Sequence, residues 1–219
     1  SPHAHAHIKK IDASRALALP GVRAVVTAAD LAPLPAELDA AAFNLCNALA
    51  RDKVLYKGHA VAAVCATSLH IAEEALELID VDYDVLPAVF TVEEAMSVGA
   101  PVLHEDLPAL SPVAGDAPSQ NVATRSEMVL GDLEQGFAEA EIVVERETTT
   151  VPVHQGYIEP HSGTAMWHED GNLTVWSSSQ GHFNVRDFTA SALGIPVSSV
   201  KAVPLEIGGG FGAKLRVYV

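Results

Sequence analysis

Between Ser68 and Val85 the hydrophobic period of this chain changes once, from 3.6 residues to 2, which excludes an all-helical and an all-strand fold together. In "SLHIAEEALELI", Ile71, Ala75, Leu78 and Ile79 fall three or four residues apart on one face, behind Ser68, a residue suited to cap a helix N-terminus. The next stretch, "DVDYDV", alternates Val81, Tyr83 and Val85 with acids and reads as a strand with one wet side. The same exchange of short strands and helices fills the first hundred residues. His7 to Asp12 reads as a strand, "ASRALALPG" as a helix stopped by Pro20 and Gly21, and "VRAVVTAADL" as a strand running into a turn. Residues 32–52 are less regular, with an Ala-rich segment compatible with a helix. "KVLYKGHAVAAVCAT" is one hydrophobic strand or a pair broken at Gly58. "TVEEAMSVGAP" is a helix with Thr91 and Glu94 as a capping box, and Gly99 and Pro101 as stop signals.

Residues 102–125 are rich in Pro, Ala, Ser and Asp without a sustained period, which suits a connection between domains. The organisation expected is therefore a first domain over 1–100, a linker over 101–125 and a second domain over 126–219, in an α+β fold. In the second domain "GDLEQGFAEAE" opens a short helix and "IVVERETTTVPVH" reads as a long strand. "TAMWHEDGNLTVWSSS" reads as a hairpin around Asp170 and Gly171, "VRDFTASALGIP" as a helix, and "SSVKAVPLEI" as a last strand. The pattern starts mid-element at Ser1 and stops just past a glycine-rich loop, so both ends are expected to be cut from something longer.

Composition narrows the partners. With 49% apolar and 19% charged residues, 219 residues can build a sizeable core. A net charge of -15 repels phosphate backbones, which excludes nucleic acid as a partner class. No apolar run is long enough to span a bilayer, and a cytoplasmic location is expected. Cys46 and Cys65 are the only cysteines, too few for an iron-sulfur cluster or a four-thiolate zinc site.

Three motifs can carry chemistry. "EIGGGFGAK" is not a P-loop, because Lys214 is followed by Leu215 rather than Ser or Thr, and it misses the dinucleotide fingerprint at Ala213. Its glycines permit positive φ and a close backbone approach to a ligand; they equally suit a tight turn in which Phe211 anchors the loop to the core. His3, His5 and His7 alternate, which on a strand puts three imidazoles on one face, although metal ligands must converge rather than splay. "HQGYIEPH" offers His154, Glu159 and His161, and "SSSQGH" offers Gln180 and His182, for acid-base work or as a plain strand edge. No GxSxG nucleophile elbow exists.

Taken in order, "SPHAHAHIKKIDASRALALPGVRAVVTAADL", "VLYKGHAVAAV", "IDVDYDVLPAV", "YIEPH", "SSSQG" and "IGGGFGAK" resemble the molybdopterin-binding large subunit of the xanthine dehydrogenase, aldehyde oxidase and aerobic carbon monoxide dehydrogenase family. The resemblance implies an α/β hammerhead domain followed by the start of a molybdenum-cofactor-binding domain. It implies a molybdenum-pterin cofactor in dinucleotide form that carries the redox chemistry, hydroxylating a small substrate with water as oxygen source. By motif, Gln180 takes the place of the glutamine whose amide hydrogen-bonds a molybdenum oxo ligand, and Gly210, Phe211 and Gly212 that of the backbone lying against the metal's ligands. No direct metal ligand is implied, and Glu159 is given a structural role. The catalytic glutamate base would lie downstream, so no catalytic residue is assigned here and the chain alone is expected to be inactive. Purine-oxidising members carry a glutamate where this chain has Leu215, which implies an aldehyde, an aromatic heterocycle or another less polar substrate. Iron-sulfur and FAD subunits or domains, carrying [2Fe-2S] clusters and FAD, would complete a dimer of heterotrimers. The alternative is a non-catalytic hammerhead-type assembly module without cofactor.

Overall fold

The structure, a computed structural model, describes residues 1–33, 48–105, 121–122 and 127–215. The Ala-rich candidate helix and most of the expected 101–125 linker lie outside the described residues, as does Cys46.

The N-terminal part is two small antiparallel sheets with short helices against them. Strand β1 (Ala6–Asp12) is central, between β3 (Lys53–Val54) and β5 (Asp80–Val85), with Ala6 opposite both Val54 and Val85. β2 (Val22–Thr27) pairs with β4 (Ala62–Ala66) in the second sheet. The "KVLYKGHAVAAVCAT" stretch is thus a pair, whose members serve different sheets. Ala6, Ala50, Val54 and Val61 form the buried centre, with Ile8, Ile11, Val81 and Tyr83 packed against it. Val81 and Tyr83 face inward as their alternation requires, whereas Val85 is exposed at the strand end.

Helix α1 (Ser14–Leu17) connects β1 to β2, and α2 (Leu69–Leu76) connects β4 to β5. The Ser68 hydroxyl accepts the Ile71 N–H at 3.3 Å, as the sequence predicts. Ala75 is fully buried on the expected face, and Ile71 packs over the turn at Gly21. There φ is +99° and an added Cβ would stand 2.7 Å from Ile71 Cδ1, so the stop signal doubles as the packing surface for α2. In α3 (Val92–Met96) the Thr91 hydroxyl accepts the Glu94 N–H, but the Glu94 carboxylate reaches one residue further back than a capping box requires, to the Phe90 N–H.

The C-terminal part contains α4 (Leu133–Glu139), capped by Asp132, and a three-stranded sheet ordered β6 (Gly163–Trp167), β7 (Leu173–Ser177), β8 (Val200–Pro204). β6 and β7 form the expected hairpin. β7 and β8 run parallel and are joined by α5 (His182–Leu193), which begins three residues earlier than its sequence pattern suggests and ends at Gly194 in the left-handed conformation. The long strand expected over "IVVERETTTVPVH" does not form: those residues are exposed and irregular. β-branched residues favour a pleated surface only where a neighbouring strand takes their backbone groups, and no described strand pairs with them.

Candidate functional site

The parallel pairing of β7 and β8 determines where the site forms, because it sets their carboxyl ends side by side. Gln180 follows β7 directly and the glycine loop follows β8; α5, the crossover between them, begins at the same edge. Segments twenty-five or more residues apart in sequence therefore meet.

Two side-chain oxygens hold the loop. Gln180 Oε1 accepts the N–H groups of Gly212 and Lys214, at 3.0 and 3.2 Å, and the Gln180 N–H donates to the Lys214 carbonyl at 2.8 Å. Glu159 Oε2 accepts the Gly208 N–H at 2.7 Å and the Lys214 ammonium at 2.6 Å. The ammonium and the Gly208 N–H together hold the Glu159 carboxyl below the usual carboxylate range. The two glycines beneath these oxygens have no room for a side chain: a Cβ on Gly208 would stand 2.6 Å from Glu159 Cβ, and one on Gly210 2.7 Å from Gln180 Cδ.

The loop itself is tightly turned. Gly209 and Gly212 have φ of +91° and +94°, and Phe211 has φ of +49°, the one side-chain-bearing residue with positive φ among those described. The Ala213 N–H closes onto the Gly210 carbonyl at 2.8 Å. Among the described residues the N–H groups of Gly209, Gly210 and Phe211 donate to no acceptor, although Gly210 is buried. Three consecutive backbone donors with no acceptor among the described residues are a donor set suited to an oxygen-bearing, electron-rich ligand. Gln180 adds to it: with Oε1 committed to two N–H donors, its amide NH₂ is the end left to donate. This donor set fits a cofactor that presents oxygen ligands.

The loop does not anchor through Phe211, whose ring is exposed; Lys214, buried at 2% exposure, is the anchor. Leu215 is half exposed, and its carbonyl accepts the Asn184 side-chain amide at 2.9 Å. Ala213 takes an ordinary backbone conformation with its methyl buried, so alanine fits there.

The other candidates separate. His154 and His161 flank the Tyr157 ring, and Glu159 is engaged by Lys214 rather than by a histidine, so the acid-base reading of "HQGYIEPH" is not supported. His182 opens α5, its Nε2 buried and without a partner among the described residues. The N-terminal histidines do not share a strand face. His3 precedes β1 and packs edge-on against Tyr83, buried His5 shares a hydrogen bond with the Pro87 carbonyl, and only His7 lies in the strand. Among the described residues no three His, Cys, Asp or Glu side chains gather as a metal site. Sequence reasoning missed Tyr157 and the structural part of Lys214, since the contact to Glu159 spans 55 residues and leaves no local pattern.

Comparison with known proteins gives the same reading. A family model described as aldehyde oxidase and xanthine dehydrogenase, a/b hammerhead domain, matches residues 1–87, and one described as molybdopterin cofactor-binding domain matches residues 114–219. The carbon monoxide dehydrogenase large chain of Afipia carboxidovorans is 38% identical over 100% of this chain and 27% of its own length. The probable hypoxanthine oxidase of Escherichia coli is 33% identical over 98% of this chain and 25% of its own. The solved structure of reconstituted CO dehydrogenase from Oligotropha carboxidovorans superposes with a TM-score of 0.78 at 34% identity, covering 100% of this chain and 28% of that one. The chain thus spans about a quarter of the length of these relatives. It belongs to the family of molybdopterin-binding large subunits that includes xanthine dehydrogenase, aldehyde oxidase and carbon monoxide dehydrogenase, and its α+β fold is a hammerhead domain followed by the start of the cofactor-binding domain.

Proposed function

We propose that the chain forms part of the large subunit of a molybdenum hydroxylase, an oxidoreductase that hydroxylates an aldehyde, an aromatic heterocycle or a similar small substrate with water as oxygen source. The observation that carries this reading is the glycine loop closed against Gln180, with three backbone donors and one amide facing no acceptor among the described residues. The molybdenum-pterin group, in its dinucleotide form, supplies the redox chemistry when bound. Gln180, through its amide NH₂, and the backbone N–H groups of Gly210 and Phe211 would hold it by donating hydrogen bonds; the Gly212 N–H is taken by Gln180 Oε1, and Gly212 would lie against the group through its Cβ-free backbone. Donors already fixed by their surroundings stabilise developing negative charge without reorganising. Glycine at 210 and 212 lets the backbone approach closely. No residue of this chain is assigned as the catalytic base.

Leu215 sets selectivity in this reading, since an apolar side chain beside the loop cannot accept the hydrogen bonds of a polar purine ring. The hammerhead domain takes residues 1–100, the linker 101–125, and the cofactor domain 126–219. Electrons leave through partner subunits or domains carrying [2Fe-2S] clusters and FAD, in a cytoplasmic dimer of heterotrimers; the two cysteines of this chain are too few to ligate a cluster. No helix among the described residues is long and apolar enough to cross a membrane.

The test is elemental and pterin analysis of the whole gene product made in a host that synthesises the cofactor. Stoichiometric molybdenum with a pterin dinucleotide is expected; purified protein free of molybdenum would overturn the reading.

A further inference from the structure

One carboxylate oxygen staples both ends of the glycine loop. Glu159 Oε2 holds the Gly208 N–H at the loop's start and the Lys214 ammonium at its end, at 2.7 and 2.6 Å. The Lys214 side chain is 1% exposed, and its ammonium also lies 5.2 Å from the centre of the Tyr157 ring. A charge that deeply buried persists only with compensation, which here comes from the carboxylate and the ring face. The staple has a geometric consequence. Lys214 is also the residue whose main-chain N–H and carbonyl meet Gln180, so fixing its side chain fixes the backbone that orients Gln180. Between the staple points the chain must pass through Phe211 at φ +49°, a conformation a side-chain-bearing residue keeps only where its surroundings impose it. The N–H groups of Gly209, Gly210 and Phe211 lie on that imposed arc.

We propose that Glu159 and Lys214 are positioning residues whose ion pair closes the Gly208–Lys214 loop and presents its backbone donors and the Gln180 amide to the cofactor. The proposal rests on the cofactor reading above for what the loop faces, and on the structure alone for the closure. With Lys214 enclosed and the Glu159 side chain 32% exposed, the pair adds little net stability over apolar replacements, but it constrains geometry, and geometry is what this site needs.

The experiment uses the whole gene product with Lys214→Met, Glu159→Gln, the double variant Glu159→Gln/Lys214→Met, and Lys214→Arg. Amide hydrogen exchange over residues 208–215, thermal midpoint, molybdenum content, kcat and KM are measured on each. Either single charge removal speeds exchange in the loop by about tenfold or more and lowers kcat by about tenfold with little change in KM. The double variant leaves no unpaired buried charge and regains the thermal midpoint, yet its loop still exchanges fast and kcat stays low. Lys214→Arg, which keeps the charge, recovers part of both. A double variant with wild-type loop exchange overturns the proposal, and so does one whose kcat returns to the wild-type value. If the single variants fail to fold, the double variant alone decides between these outcomes. Wild-type protein without molybdenum overturns the cofactor reading; the exchange measurement still decides the closure.

Discussion

In the proposed reading Gln180 acts through both ends of its side-chain amide, and the two can be separated. Its oxygen is identified by what it faces, two backbone N–H donors, so the NH₂ group is left to the site. Gln180→Glu keeps the acceptor and removes the donor: unfolding stability should stay within about 1 kcal/mol of wild type while turnover falls by about 10²-fold. Gln180→Ala removes both and should cost a further 1–3 kcal/mol or so, measurable by denaturant titration. Gly210→Ala drives a Cβ to 2.7 Å from Gln180 Cδ, and its stability loss should exceed that of Ala213→Gly, which only exposes backbone freedom. Glu159 supplies a pH signature. Its folded-state pKa is depressed, chiefly by the Lys214 ammonium and then by the Gly208 N–H, so its contribution is complete above the unfolded value near 4.5 and is lost as pH falls through the folded one. The stability gap between wild type and Glu159→Gln should be constant from neutral pH down to about 5 and shrink below it, as acid titration followed by circular dichroism will show.

Among the elements, the helix caps were legible because a cap is written in adjacent residues. Ser68 and Thr91, both read as caps from the sequence, each accept the backbone N–H three residues on. Ser68→Ala should cost about 1 kcal/mol by denaturant titration, and the loss should appear in α2 and β5 first if hydrogen exchange is followed segment by segment. The hairpin of β6 and β7 was legible for the same reason, with Asp170 and Gly171 marking its turn. What was not legible was pairing at a distance. The β-branched run after α4 has the composition of a strand, yet no described strand pairs with it, while the two-residue β3, which the sequence offers only as the first half of a possible pair, joins β1 rather than β4 and carries Val54 into the centre of the core with no exposed surface. Val54→Ala should therefore cost about 2 kcal/mol or more, which a chemical denaturation midpoint will report.

At the scale of the molecule a few contacts tie the segments together. The Ala32 N–H, just past β2, donates to the Ala192 carbonyl at the end of α5 at 2.9 Å, and Arg51 donates to the Ala32 carbonyl at 2.8 Å. Asn121 accepts the Leu103 N–H and donates to the carbonyls of Ala95 and Pro101, pinning the chain after α3. Asn121→Ala should lower stability by about 2–4 kcal/mol and speed limited proteolysis after residue 101, since it removes these hydrogen bonds together. By itself, the sequence determined the mixed fold class, the order of most elements and, through six motifs in register, the family. It also rejected the nucleotide-loop readings on spacing alone. Those are local properties, carried by hydrophobic period, caps and glycine placement within one segment. Only the tertiary structure decided that the loop is anchored by Lys214 rather than Phe211, which groups Glu159 meets in the structural role the resemblance implies for it, and that the N-terminal histidines go separate ways. Each of these depends on which carbonyl, carboxylate or ring lies within about 3 to 5 Å once distant segments pack, and a linear pattern holds no record of that distance.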